Sequence, residues 1–125
     1  MIKSDKPRVM IIDENSGIRE FYCCELEDKG YDVVTVGDVS ALEQEIARST
    51  PDLVIMDPWI GGQNRWDVLS GIKREHSAMP VLLCLACDTP LPGDGTALAD
   101  NLVVKNSSPG ELLLKVERMT REASK

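Results

Sequence analysis

The segment Asp52-Leu53-Val54-Ile55-Met56 ends abruptly at Asp57, followed by Pro58 and a Gly61-Gly62 turn. A buried strand that stops this way carries one carboxylate to the rim of a protein. A second apolar run, Arg8-Val9-Met10-Ile11-Ile12, stops at Asp13-Glu14, and a third, Leu102-Val103-Val104, stops at Lys105. If these strands are parallel neighbours, three acids and one lysine meet at one edge, the edge where open parallel sheets bind ligands. Crowded carboxylates repel one another unless a hard cation neutralises them, and oxygen donors with open water positions suit Mg²⁺. With a metal and a lysine beside it, an oxygen of Asp57 could attack a phosphoryl group while the cations take up the developing charge. The product would be an aspartyl phosphate.

Each element also has a plainer reading. Asp13-Glu14 could open a helix, where negative charge is favoured. Asp57-Pro58 could start a turn, because the residue before proline is pushed into extended geometry. Lys105 could be a solvated surface lysine. The spacing of all three together is what favours chemistry.

The elements that must position these residues follow from periodicity. Strands are expected near Arg8 to Ile12, Tyr31 to Val36, Asp52 to Met56, Val81 to Ala86 and Leu102 to Val104. Between them, Ile18, Phe21, Tyr22 and Leu26 recur at helical spacing, as do Leu42 with Ile46, Trp66 with Leu69 and Ile72, and Leu112, Leu113, Val116 and Met119. Strand-helix alternation implies a parallel sheet. Because the strands are continuously apolar and do not alternate, helices must cover both faces, which makes an α/β doubly wound sandwich. Gly30 stops the first helix, and Ser108-Pro109-Gly110-Glu111 reads as a capping box with proline at the first helical position. Pro90, Pro92, Gly93 and Gly95 leave room for only a short or irregular fourth helix between Asp88 and Ala99.

A chain of 125 residues with 42% hydrophobic content can bury one self-sufficient core, so a single domain is expected over 1–125 with no effector domain. Twenty-one acidic against 14 basic residues give a net charge of -7, which repels a phosphate backbone and argues against direct nucleic-acid binding. No apolar stretch approaches the ~18 residues of a membrane span, and no signal core opens the chain, so a cytoplasmic protein is expected.

Four cysteines are too few for a disulfide scaffold. Cys84-Leu85-Ala86-Cys87 has redox spacing, but on an extended strand its two Cα atoms would stand ~10 Å apart, beyond the ~7 Å limit for a disulfide. His76, the one histidine, falls at the end of the third helical pattern, on the edge opposite the acids, and reads as a helix-terminal residue. Trp66 reads as packing. Trp59, two residues past Asp57, reads as exposed beside the site.

These features resemble the receiver domain of bacterial two-component response regulators over nearly the whole chain. The resemblance is carried by Val9-Met10-Ile11-Ile12-Asp13-Glu14, Pro51-Asp52-Leu53-Val54-Ile55-Met56-Asp57, Gly62, Met79-Pro80-Val81-Leu82-Leu83 and Val103-Val104-Lys105. It implies a flavodoxin-like five-stranded sheet in the order 2-1-3-4-5. It further implies that Asp57 accepts a phosphoryl group from a sensor histidine kinase or a histidine phosphotransfer protein. Asp13, Glu14, Asp57 and the carbonyl of Trp59 would hold Mg²⁺, and Lys105 and the backbone of Ala86 would contact the phosphoryl group. Signalling would then run through contact with a downstream protein.

The chain departs from the family pattern at both switch positions. Leu85 stands where the family usually has threonine or serine, and Leu102 where it usually has an aromatic ring. Losing the hydroxyl removes a contact that would distinguish the phosphorylated state. Glu14 replaces the commoner aspartate, Asn106 the usual proline, Gly61 a proline and Arg65 a glycine. The alternative to a phosphoacceptor is therefore a pseudo-receiver, an interaction module that keeps the fold without switching. A third reading, a small flavin or thiol redox protein, is opposed by the acidic first turn and the cysteine geometry.

Overall fold

Strand and helix alternate along the chain as the apolar runs imply. The computed structural model describes residues 6–86, 99–105 and 108–123. Its elements are β1 (Arg8–Ile12), α1 (Ser16–Asp28), β2 (Asp32–Val36), a 3₁₀ turn (Val39–Ala41), α2 (Leu42–Ser49), β3 (Leu53–Met56), β4 (Trp59–Ile60), β5 (Gln63–Asn64), α3 (Trp66–Glu75), β6 (Val81–Leu85), β7 (Asn101–Val104) and α4 (Gly110–Ala123). The main sheet has the order β2-β1-β3-β6-β7, and all of its pairs are parallel. With the two-residue strands β4 and β5 set aside, this is the expected 2-1-3-4-5 order of the flavodoxin-like receiver fold.

The continuous apolar runs are explained by two cores, one on each face. Side chains alternate across a strand, so Val9 and Ile11 of β1, Leu53 and Ile55 of β3, and Leu82 and Cys84 of β6 pack with Tyr22 and Leu26 of α1 and Leu112, Val116 and Met119 of α4. Met10 and Ile12, Val54 and Met56, and Val81, Leu83 and Leu85 turn the other way, against Leu42 and Ile46 of α2 and Leu69 and Ile72 of α3. A fully buried side chain of this size contributes roughly 1.5–3 kcal/mol relative to exposure. Apart from Arg8 at the start of β1, the three central strands carry only buried apolar residues, and the outer strands β2 and β7 are only partly buried.

Local chemistry sets the boundaries. Asn15 caps α1 by accepting the Ile18 N–H at 3.0 Å, so the helix opens on asparagine and the preceding acids are free of that duty. Phe21, expected on the packed stripe, is 37% exposed at its edge. Pro109 stands one residue before α4, its carbonyl accepting the Leu113 N–H at 2.9 Å. Trp66 packs partly buried against the second core, as expected. His76 ends α3, with Nε2 3.0 Å from Glu43 Oε2 across the α2–α3 groove. The expected short helix between Asp88 and Ala99 lies almost wholly outside the described residues, as do Cys87 and Asn106.

Candidate functional site: a lysine between two buried carboxylates

Parallel pairing brings the site together. Ile12 is registered opposite Met56, so Asp13 and Asp57, one residue further along each strand, leave the sheet side by side. The ladder continues past the strand ends: Asp57 N–H donates to Ile12 O at 3.0 Å, and Asp13 N–H to Val36 O at 3.2 Å. Leu85 is registered opposite Val104, and Lys105 N–H donates to Leu85 O at 2.6 Å. Lys105 and the exposed Ala86 thus emerge at the same edge.

Both aspartates are buried, Asp13 at 4% and Asp57 at 7% exposure. Such burial is tolerated only for charges that are paired and hydrogen-bonded. The Lys105 ammonium donates to Asp13 Oδ2 at 2.7 Å and also to Asp57 Oδ2. The other oxygens are held by local backbone: Asn15 N–H donates to Asp13 Oδ1 at 2.9 Å, and Trp59 N–H to Asp57 Oδ1 at 3.0 Å. Burial pulls the Lys105 ammonium toward neutrality, but hydrogen bonds and charge attraction from Asp13 and Asp57 outweigh it. Its pKa therefore lies above the ordinary 10.5.

Glu14 does not join this pair. Consecutive residues leaving a strand end point in different directions, and the exposed Glu14 accepts the Gly61 N–H at 2.7 Å through Oε2. Among the described residues no three acidic, histidine or cysteine side chains close on one metal-sized point. The expected convergence of three acids is thus a convergence of two, with the third tied to a neighbouring hairpin. The donor set still suits a hard cation, because every candidate ligand is oxygen and Asp13 and Asp57 already meet at one positive charge.

That hairpin extends the Gly61-Gly62 turn read from the sequence into a paired ribbon. Trp59–Ile60 pairs antiparallel with Gln63–Asn64 across Gly61-Gly62. Both glycines have positive φ, 64° and 82°, as a two-residue type I′ turn requires. The signal was present as two glycines between short segments, a hairpin pattern that a reading of the stretch as loop passes over. Trp59, on this ribbon, is 46% exposed, as expected. Arg19 was also missed. Its Nη1 donates to the carbonyl of Asp13 at 2.6 Å, and the helical spacing of its neighbours gave no hint of this.

The two leucines expected at the family's switch positions both lie against the second core. Leu85 is 3% exposed in the second core, and Leu102 packs partly buried against the same cluster. On the opposite face of β6, Cys84 is buried with its Sγ 3.6 Å from the Tyr22 hydroxyl. Burial pushes its thiol up to about 11.

Comparison with known proteins bears on the family and the fold. Residues 9–117 match the model of the response regulator receiver domain. The chain is 29% identical over 115 residues to the probable transcriptional regulatory protein TcrX of Mycobacterium tuberculosis, covering 90% of this chain and 49% of that protein. It is 33% identical over 116 residues to the alginate biosynthesis transcriptional regulatory protein AlgB of Pseudomonas putida, covering 90% of this chain and 25% of that one. The chain thus spans half or less of these two relatives. Among solved structures, it is similar to the response regulator TrrA of Thermotoga maritima in complex with Mg²⁺-BeF. That match has a TM-score of 0.82 and 26% identity, and covers 90% of this chain and 98% of that one. TrrA in complex with the histidine kinase ThkA matches with a TM-score of 0.81 and 26% identity, over 90% and 97% of the two chains. With residues 9–117 matching that family's model, and with the same sheet order, this chain belongs to the response regulator receiver domain family of two-component signalling.

Proposed function

We propose that the chain is a phosphoacceptor. An oxygen of Asp57 attacks the phosphorus of a phosphohistidine on a sensor kinase or phosphotransfer protein. A P–O bond forms, the P–N bond breaks, and the imidazole nitrogen leaves with the electron pair. The observation that carries this reading is the Lys105 ammonium shared by buried Asp13 and Asp57 at the carboxyl edge of the sheet. Asp13, Asp57 and the Trp59 carbonyl would hold Mg²⁺, which supplies positive charge for the phosphoryl oxygens when bound, while Glu14 is engaged by the Gly61 N–H. The Lys105 ammonium supplies positive charge to the incoming phosphoryl group, and the Ala86 backbone N–H donates a hydrogen bond to it. TrrA, similar to this chain, was solved with Mg²⁺-BeF and with a histidine kinase, which supports both ligand classes. The net charge of -7 favours output through protein contact over direct nucleic-acid contact. The test is intact-mass spectrometry after acetyl phosphate with Mg²⁺. The expected result is one added phosphoryl group, abolished by EDTA and by Asp57→Asn; an unmodified wild-type chain rejects the reading.

A second reading rests on Leu85. With an isobutyl group packed in the core where the family has a hydroxyl, Asp57 phosphorylation has one contact fewer through which to bias two conformations. The chain would then serve as a constitutive interaction module. Equal binding of the same partner with and without beryllium fluoride and Mg²⁺ favours this reading, and a changed affinity favours the switch.

A further inference from the structure

Asp13 is held at four points. Its N–H donates to Val36 O at 3.2 Å, its Oδ1 accepts from Asn15 N–H at 2.9 Å, and its Oδ2 accepts from Lys105 at 2.7 Å. The fourth bond differs in kind: the Asp13 carbonyl accepts from Nη1 of Arg19, a half-buried side chain on α1 that takes no other part in the site. The guanidinium lies over the end of β2, where the residue is Gly37. A Cβ built on Gly37 would stand 2.5 Å from Nη1, 2.8 Å from Cζ and 3.1 Å from Nη2 of Arg19. The described glycines with positive φ are Gly30, Gly61 and Gly62, so Gly37 is not needed for backbone conformation. What its missing side chain provides is space for the guanidinium.

We propose that Arg19 is a positioning residue for the acid loop: seated in the notch at Gly37, it fixes the Asp13 backbone and thereby the aim of the Asp13 carboxylate at the cation site. This inference rests on the phosphoacceptor reading. The guanidinium joins three elements that the site needs in register, namely α1, the β1–α1 loop and the end of β2. Groups that orient a ligating carboxylate act on metal affinity, and their loss costs on the order of tenfold or more. The effect belongs to cation binding and leaves the attacking atom, Asp57 oxygen, unchanged.

The test uses the full chain as wild type, Arg19→Ala, Gly37→Ala and the double variant. Mg²⁺ affinity is read from tryptophan fluorescence, and the rate of acetyl phosphate modification is followed as a function of Mg²⁺. Each single variant is expected to weaken Mg²⁺ binding about tenfold, while the rate at saturating Mg²⁺ stays near wild type. Because Gly37→Ala acts by displacing Arg19, the double variant is expected to match Arg19→Ala alone. Unchanged Mg²⁺ affinity in Arg19→Ala overturns the proposal, as does an additional loss on adding Gly37→Ala to it. A rate that stays depressed at saturating Mg²⁺ also overturns it. A wild-type chain that neither binds Mg²⁺ nor is modified rejects the phosphoacceptor reading and this inference with it, an outcome distinct from a variant-specific failure.

Discussion

Lys105 Nζ stands 2.7 Å from Asp13 Oδ2, although the two residues are 92 positions apart in the chain. The same ammonium reaches Asp57. One cation therefore holds two buried like charges together before any ligand arrives. Replacing it with methionine leaves both carboxylates facing each other. We predict that Lys105→Met lowers unfolding free energy by about 3 kcal/mol, the scale of breaking a buried ion pair from one side. Urea denaturation checks this, and added Mg²⁺ is expected to recover most of the loss if it binds between the same oxygens.

The pH dependence follows from the same lysine. Its folded pKa lies above the ordinary 10.5, so the pairing stabilises fully below 10.5 and is lost as pH rises through the raised value. The urea midpoint difference between wild type and Lys105→Met should thus be flat across neutral pH and narrow only in the alkaline range. Narrowing between pH 6 and 8 would contradict the assignment.

Leu85→Thr trades buried isobutyl packing for a hydroxyl. Leu85 is 3% exposed, so stability is expected to fall by roughly 2–3 kcal/mol. If the missing hydroxyl is what uncouples Asp57 from the rest of the fold, the same variant should enlarge the amide-spectrum changes produced by beryllium fluoride with Mg²⁺. Loss of stability with no gain in response would assign Leu85 to packing alone.

Two glycines should respond oppositely to alanine. Gly62 has φ 82° with nothing within 4 Å of a built Cβ, so Gly62→Ala meets only backbone strain and is expected to destabilise by about 1 kcal/mol. Gly71 lies inside α3, where a Cβ would meet Arg74 Nη2 at an ordinary 3.8 Å, so Gly71→Ala is expected to stabilise by about 1 kcal/mol. Thermal or urea melts of the pair decide both.

Thiol chemistry should follow burial. Cys24 is exposed, Cys84 is buried and Cys23 lies between. Burial, with help from a hydrogen bond to Glu27, pushes the Cys23 thiol up to about 11, and burial does the same at Cys84. Among these three described cysteines, iodoacetamide at neutral pH should label Cys24 first and Cys84 only on unfolding, as peptide mass spectrometry would show. Rapid native labelling of Cys84 would reopen a redox role.

By itself the sequence determined the strands, their parallel arrangement and the carboxyl edge that bears Asp13, Asp57 and Lys105. Continuous runs such as Val9-Met10-Ile11-Ile12 call for burial from both faces in the central strands, and an apolar run that stops at a charged residue locates the sheet's rim. Trp59 and Trp66 were legible for the same reason, one in a loop and one at helical spacing. What only the tertiary structure decided depends on direction and on contacts between distant elements. Periodicity has no information on which way a side chain turns after a strand ends, so Glu14 bonding to Gly61 was hidden. The Gly61-Gly62 turn is legible in the sequence, but the antiparallel pairing of Trp59–Ile60 with Gln63–Asn64 that makes it a hairpin exists only in the folded chain. Arg19 reaching the Asp13 carbonyl over Gly37 needs α1 and β2 already packed beside β1. Lys105 between two aspartates likewise exists only because β1, β3, β6 and β7 lie in register, so that charges far apart in sequence share one desolvated edge.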